Sequence, residues 1–302
     1  MKKFEVTNET KTYEPNVFGA DEGLSVVVHR IKALVDIPGV VKAGQLGGWV
    51  EKEENLSHKG TCWIFDDATV IGNALVSENA KVFDISSIRD NARVYGNACV
   101  KEESYVLENA RVFEQATLSD NAVVVGKCQI YGKSTVINSY IEDHAQIFGN
   151  ARVVDSGVRK SARIYDNATV DLENGNTVDK HGKFIVAEIG GNADIHGNSK
   201  ITGFVVVRHN VEIFGDAVID IDDESIAYIN DNVKIFDNAH ISGNVKLSGD
   251  VFIYDSAKVS GNVKISDNAV ICGNTEISGK LQIGKNVIIK NNIIAFNDTN
   301  KF

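Results

Sequence analysis

Proline occurs twice and methionine once in 302 residues, and none of the four cysteines stands in a CxxC pair. With proline so rare, few positions carry a fixed φ and few rigid kinks punctuate the chain. Cys62, Cys99, Cys128 and Cys272 are too sparse for a disulfide framework and their spacing suits no structural zinc. Free thiols in a reducing, cytoplasmic compartment are therefore expected. No stretch reaches the roughly 18 consecutive apolar residues of a membrane-spanning helix. Met1-Lys2-Lys3-Phe4-Glu5 leads into no apolar segment, so neither a membrane nor a secretory signal is expected. Positive charge is also scarce: 31 Lys+Arg against 41 Asp+Glu leave a net charge of −10. Binding to nucleic-acid phosphates rests on cationic side chains, so no nucleic-acid partner is expected.

Glycine is abundant instead, at 26, asparagine is at least as common, and 43% of the chain is apolar. Such a chain needs many turns with positive φ. Length alone suggests about two ordinary domains, but an internal repeat overrides that expectation. Small residues recur every sixth position from Ala68 through Ala74, Ala80, Ser86 and Ala92 to Cys128 and Ser134. Two residues after each stands a branched aliphatic, from Val70 and Val76 to Ile130 and Val136, and a second unbroken run goes from Ile229 to Ile289. A small residue and an aliphatic two apart share one side of a strand. The remaining three residues turn the chain, and pairs such as Gly72-Asn73, Asp90-Asn91 and Gly243-Asn244 suit a left-handed corner. Each hexad is one short strand and one corner.

Register slips give the coil size. Val136 to Ile141 and Val153 to Val158 are steps of five, and the second slip follows the first by three hexads less one residue. Slips one per three hexads fall on the same corner of successive coils, which predicts a triangular prism with about 18 residues per turn and coils about 4.8 Å apart. Val76, Val94, Val112, Ile130, Ile147 and Ile164 should then form one inward column. Residues 1–48 break the hexad and read as a β-strand cap, with strands at 4–6 and 25–35. Residues 49–295 read as a rod of roughly 12–13 coils, about 60 Å long, and 296–302 as a short tail. Two stretches lose the pattern: 171–184, within a 19-residue step from Val170 to Ile189 counted as about one coil, and 220–225, a four-residue corner insertion. Corner loops of solenoids often carry binding sites.

The repeat resembles the hexapeptide-repeat superfamily, and Val41-Lys42-Ala43-Gly44, Gly47-Gly48-Trp49-Val50, Asn55-Leu56-Ser57, Gly60 and Cys62-Trp63-Ile64 with Asp66 and Ala68 resemble its YdcK-like branch of bacterial chromosomes and prophages. The resemblance implies an all-β, single-stranded left-handed parallel β-helix; handedness is implied by the family and not by the spacing. It also implies, as the alternative function, acyl transfer from an acyl thioester such as acyl-CoA, with a corner histidine four residues before the aliphatic position as general base. Of seven histidines only His209, four before Ile213, matches; His144 lies three before Ile147, and His181 and His196 match nothing. Without such a role, His209 is an exposed corner residue.

Two other features compete with it. Asp220, Asp222, Asp223 and Glu224, near Asp216, form an acidic loop that could ligate a hard cation, but no EF-hand spacing is present and no metal is expected. Tyr95, Phe113, Tyr131, Phe148 and Tyr165 each follow an inward aliphatic and should stack on one edge; Phe214, Phe236 and Tyr254 read as a shorter stripe on another edge. Such a stripe is a stabilising ladder or an association surface. The primary functional expectation is a rigid binding or structural module that engages a protein partner, or a second copy of itself, through flat faces and this aromatic edge.

Overall fold

The computed structural model describes residues 2–14, 25–172, 177–178, 184–185 and 187–301. Contacts divide the chain into two compact units, Met1–Ile137 and Asn138–Phe302. Both are all-β and built mostly of short parallel strands; among the described residues the one helical turn is a 3₁₀ turn at Glu53–Asn55. No described helix is long and apolar enough to cross a membrane.

The first unit opens with three strands: β1 (Phe4–Tyr13), β2 (Val26–Ala33) and β3 (Leu46–Val50). β1 and β2 pair antiparallel from Phe4↔Ala33 to Tyr13↔Val26, and β3 pairs antiparallel with β2. β3 then pairs in parallel with the hexad strand Thr69–Val70 and so joins the antiparallel segment to the solenoid. Gly48 permits this close approach: a Cβ there would meet Ala68 O at 2.5 Å and Ile64 Cγ2 at 2.4 Å. The buried Asn55 seals the turn, accepting the Lys52 N–H at 2.9 Å and donating to Gly72 O and Ala74 O at 3.1 and 2.9 Å.

Three ladders follow, each joining every third strand. Trp63, Lys81, Cys99 and Thr117 are in register on one face; Thr69, Ser87, Tyr105 and Val123 on the second; Leu75, Arg93, Arg111 and Gln129 on the third. Each step is three hexads, which closes one coil. The inward pairs, such as Ala110 and Val112, are fully buried, as the alternation requires.

The second unit repeats the plan with three changes of step. Tyr140↔Gly157 is a step of 17, three hexads less the one-residue slip between Val153 and Val158. Glu212↔Lys234 is a step of 22, which carries the four-residue insertion at 220–225. Arg163↔Asp194 is a step of 31. Val170 and Ile189 are therefore one hexad step apart plus a 13-residue insertion, and the reading of 171–184 as about one coil is corrected. Apolar residues in that insertion mimic a degenerate coil in the sequence, whereas Thr177–Val178 pairs antiparallel with Phe184–Ile185; the rest of the insertion lies largely outside the described residues. At the far end Ile293–Lys301, expected partly as tail, is a strand parallel to Glu276–Ile283.

The corners use more than glycine. Glycine shares the left-handed position with acids, whose φ is 57° to 61° at Glu78, Asp90, Glu108 and Glu114. Several of these carboxylates reach along the prism and accept the N–H of the corner residue one coil on: Gly96 to Glu78 at 3.0 Å, Glu108 to Asp90 and Gly132 to Glu114 at 2.9 Å. A charge-assisted bond of this kind offsets the left-handed strain of a residue with a Cβ. Asparagine commonly occupies the next position, where Asn73 Nδ2 donates to Asn91 Oδ1 and Asn79 Nδ2 to Asn97 Oδ1.

Candidate functional site

His209 occupies a left-handed corner of the second unit, φ 69°, in the column that also holds Gly191, Asp231, Gly249 and Asp267. The strand Glu212–Ile213 follows it and anchors the corner through buried Ile213. Its ring stands where many corners carry a carboxylate, and its Nδ1 lies 3.0 Å from Asp231 Oδ1 and 3.3 Å from the Asp231 backbone nitrogen. With the proton on Nδ1 the ring donates to the carboxylate, and Nε2 is left with a lone pair toward solvent; with the proton on Nε2 the ring accepts the Asp231 N–H like any corner acid. The side chain is 62% exposed. Both a base–carboxylate pair and a structural stand-in are thus served by one geometry.

Beside this corner lies a charge cluster that the sequence reading did not single out. Glu188 is nearly buried, with Arg208 Nε at 2.7 Å from one carboxylate oxygen and Arg159 Nε at 2.9 Å from the other. Arg208, which Glu188 holds, immediately precedes His209 in the chain. Residues 188 and 208 are brought together by the ladder Glu188↔Val206, which pairwise inspection of the sequence does not reveal.

Other expected site residues fall elsewhere. His144 is exposed at an ordinary corner, and His181 lies outside the described residues. His196 was expected to match nothing but is a rung of the aromatic ladder, between Tyr165 at 4.7 Å and Phe214 at 5.1 Å. In the second unit the stack therefore continues from Phe148 through Tyr165, His196, Phe214 and Phe236 to Tyr254, and the expectation of a second edge for Phe214, Phe236 and Tyr254 is corrected. The long step between Arg163 and Asp194 hid this continuity, because counting by three hexads from Tyr165 misses His196. In the first unit Tyr95, Phe113 and Tyr131 stack at 4.9 Å with planes 1° and 7° apart. Rings this parallel cover one another's faces and show only their edges to solvent.

In the acidic loop, Asp220 Oδ1 accepts from Thr202 Oγ1 at 2.5 Å and the Ser225 N–H donates to Asp222 O. Among the described residues no group of three or more His, Cys, Asp or Glu is arranged to hold a metal ion. Asp220, Asp222, Asp223 and Glu224 are neighbours in sequence whose carboxylates do not form such a cradle.

A family model described as the YdcK beta solenoid repeat matches residues 145–160. The chain is 31% identical over 83 residues to the Escherichia coli (strain K12) protein described as "Uncharacterized acetyltransferase YdcK", a match spanning 27% of this chain and 24% of that relative. It therefore covers about a quarter of the length of that curated relative. Among solved structures it matches a Moraxella catarrhalis RH4 UDP-N-acetylglucosamine O-acyltransferase, at 16% identity and a TM-score of 0.29 over 62% of this chain and 71% of that one. A Francisella novicida UDP-N-acetylglucosamine acyltransferase gives 19% identity and a TM-score of 0.22 over 63% and 66%. At those scores no residue-by-residue correspondence follows. The chain carries a parallel β-solenoid repeat and is similar, over part of its length, to the YdcK-like hexapeptide-repeat proteins.

Proposed function

We propose that the chain is an acyltransferase of the hexapeptide-repeat type, with His209 as general base and Asp231 as the group that orients it. The observation that carries this reading is the 3.0 Å contact between His209 Nδ1 and Asp231 Oδ1 on an otherwise exposed imidazole. The acetyltransferase description of the partial relative supports it at the level of reaction class. In the step, Nε2 takes the proton of an acceptor hydroxyl or amine as its oxygen or nitrogen attacks a thioester carbonyl. The new C–O or C–N bond forms, the C–S bond breaks, and the imidazolium returns the proton to the leaving thiolate. A carboxylate on the far ring nitrogen holds the ring and stabilises the imidazolium.

The test is acetyl-CoA titration by calorimetry together with thioester turnover, using wild type, His209→Asn and Asp231→Asn. Asparagine tolerates the left-handed backbone at both corners. Turnover should fall about 10²–10⁴-fold in His209→Asn with thermal midpoint little changed. Equal turnover in wild type and His209→Asn sinks the assignment.

A second reading, a binding or structural module acting on a protein partner or a second copy, is favoured by the half-buried aromatic ladder of the second unit. Light scattering across a concentration series addresses it: a monomer at every concentration removes self-association.

A further inference from the structure

The N-terminal segment docks on the first hexad coil through Lys3 and Phe4. Lys3 is 4% exposed, although lysine is almost never buried without a partner. Its Nζ lies 3.2 Å from Cys62 Sγ and donates to the Cys62 carbonyl at 2.8 Å, so the amine ends on a thiol and a carbonyl instead of a carboxylate. Cys62 is itself fully buried, with Sγ surrounded by the carbonyls of Ser57, Lys59 and Val76 at 3.4, 3.6 and 3.7 Å. Both backbones are pinned. The Lys3 N–H donates to His58 Nδ1 at 3.2 Å, which puts the ring proton on Nε2, 2.7 Å from Glu53 Oε1. Phe4 stacks on His58 at 4.3 Å and meets Trp63 edge-on. A nucleophilic amine and an oxidisable sulfur, far apart in sequence, are therefore held in contact with no room to drift apart.

We propose that Lys3 and Cys62 are a covalent modification site, joined on exposure to dioxygen by a single bridging oxygen between Nζ and Sγ. One O₂ reacts with one thiol and one amine. The S–H bond and one N–H bond break, S–O and O–N bonds form, and the second oxygen leaves as water with the two hydrogens. Sulfur and nitrogen together lose the four electrons that O₂ gains. Oxidised sulfur is commonly captured by a neighbouring nucleophile, and here the neighbour is an amine. The bridge would staple the segment before β1 to the strand Trp63–Ile64. Burial raises the thiol pKa against the downward pull of Lys3, so bridging should be slow and favoured by prolonged aeration.

The experiment is intact-mass measurement and peptide mapping of the full chain after aeration, for wild type, Cys62→Ser and Lys3→Gln. The expected product has gained one oxygen and lost two hydrogens, carries residues 3 and 62 on one cross-linked peptide, and reverts with a thiol reductant. It is absent from both variants, and the wild-type thermal midpoint rises on aeration. Mapping of the wild type decides the matter even if a variant does not fold. A thiol that stays free, or Cys62 carrying only whole added oxygens with no cross-link, overturns the proposal.

Discussion

A single inward side chain shows how narrow the tolerance of a triangular coil is. Val112 is fully buried and paired with Val94 and Ile130 on the coils to either side. Burying such a side chain contributes about 1.5–3 kcal/mol, and placing a carboxylate there adds an uncompensated buried charge. Val112→Asp should therefore lower the urea midpoint sharply, and an unchanged midpoint would take Val112 out of the core. Gly96 is constrained from a different direction. Its φ is 71°, and a Cβ would meet the Glu114 backbone nitrogen at 2.5 Å, so the next coil's backbone fills the space a side chain needs. Gly96→Ala should destabilise by more than the roughly 1 kcal/mol of left-handed strain alone, measured by thermal or urea unfolding. His196 tests the ladder at one rung. His196→Phe should leave the thermal midpoint equal or raised, because Phe keeps the stack between Tyr165 and Phe214 and needs nothing from the nearby carboxylates of Asp166 and Glu212. His196→Ala should lower it.

At the scale of the element, the strands are too short to hold themselves and the corners carry much of the specification. A two-residue strand offers few ladder bonds, so the acid-to-N–H contacts and the asparagine pairs add directed bonds where the chain turns. Removing one, as in Glu114→Ala, should cost about 1 kcal/mol, since the Gly132 N–H loses its acceptor but stays near solvent. The three-stranded N-terminal segment works differently, through one aromatic. Trp49 packs with Val28 and Ile71, carries Lys11 and Arg30 over its ring at 4.4 and 4.8 Å, and donates its indole N–H to Asp67 at 2.9 Å. Sequence patterning made Trp49 part of a motif; its cationic cover comes from β1 and β2, whose pairing the hexad says nothing about.

For the molecule as a whole, acidity should matter more than salt. The indole N–H of Trp49 holds the Asp67 carboxyl below its ordinary range, helped by Lys11 and Arg30. His58 and then Lys2 do the same for Glu53, and the Ala43 N–H and Lys42 for Asp36. A carboxylate with a depressed folded pKa stabilises above its unfolded pKa, near 4, and that stability is lost as pH falls through the folded value. Asp120 has the opposite sign, since its contact with Glu102 raises its pKa, and its contribution fades as pH rises. The thermal midpoint should be flat near neutrality and fall as pH drops below the carboxylate range. Trp fluorescence should report that loss earlier at the N-terminal segment than circular dichroism does for the coils, and Asp67→Asn should reduce the difference. Coincident transitions in both signals would exclude a local contribution.

The hexad spacing by itself determined the short strands, the corners and the inward columns, and the register slips set three strands per coil, because each is a consequence of local periodicity. The Gly-Asn and Asp-Asn pairs mark the corners in the sequence, but a carboxylate's reach to the N–H of the next coil is a three-dimensional fact. Tertiary structure alone decided which residues meet across irregular steps or distant segments: His196 in the aromatic ladder, Glu188 beside Arg208, Asp231 on His209, and Lys3 on Cys62. The two insertions cost little loop entropy and leave the stacking geometry intact, yet they erase the count by which a sequence reveals its neighbours.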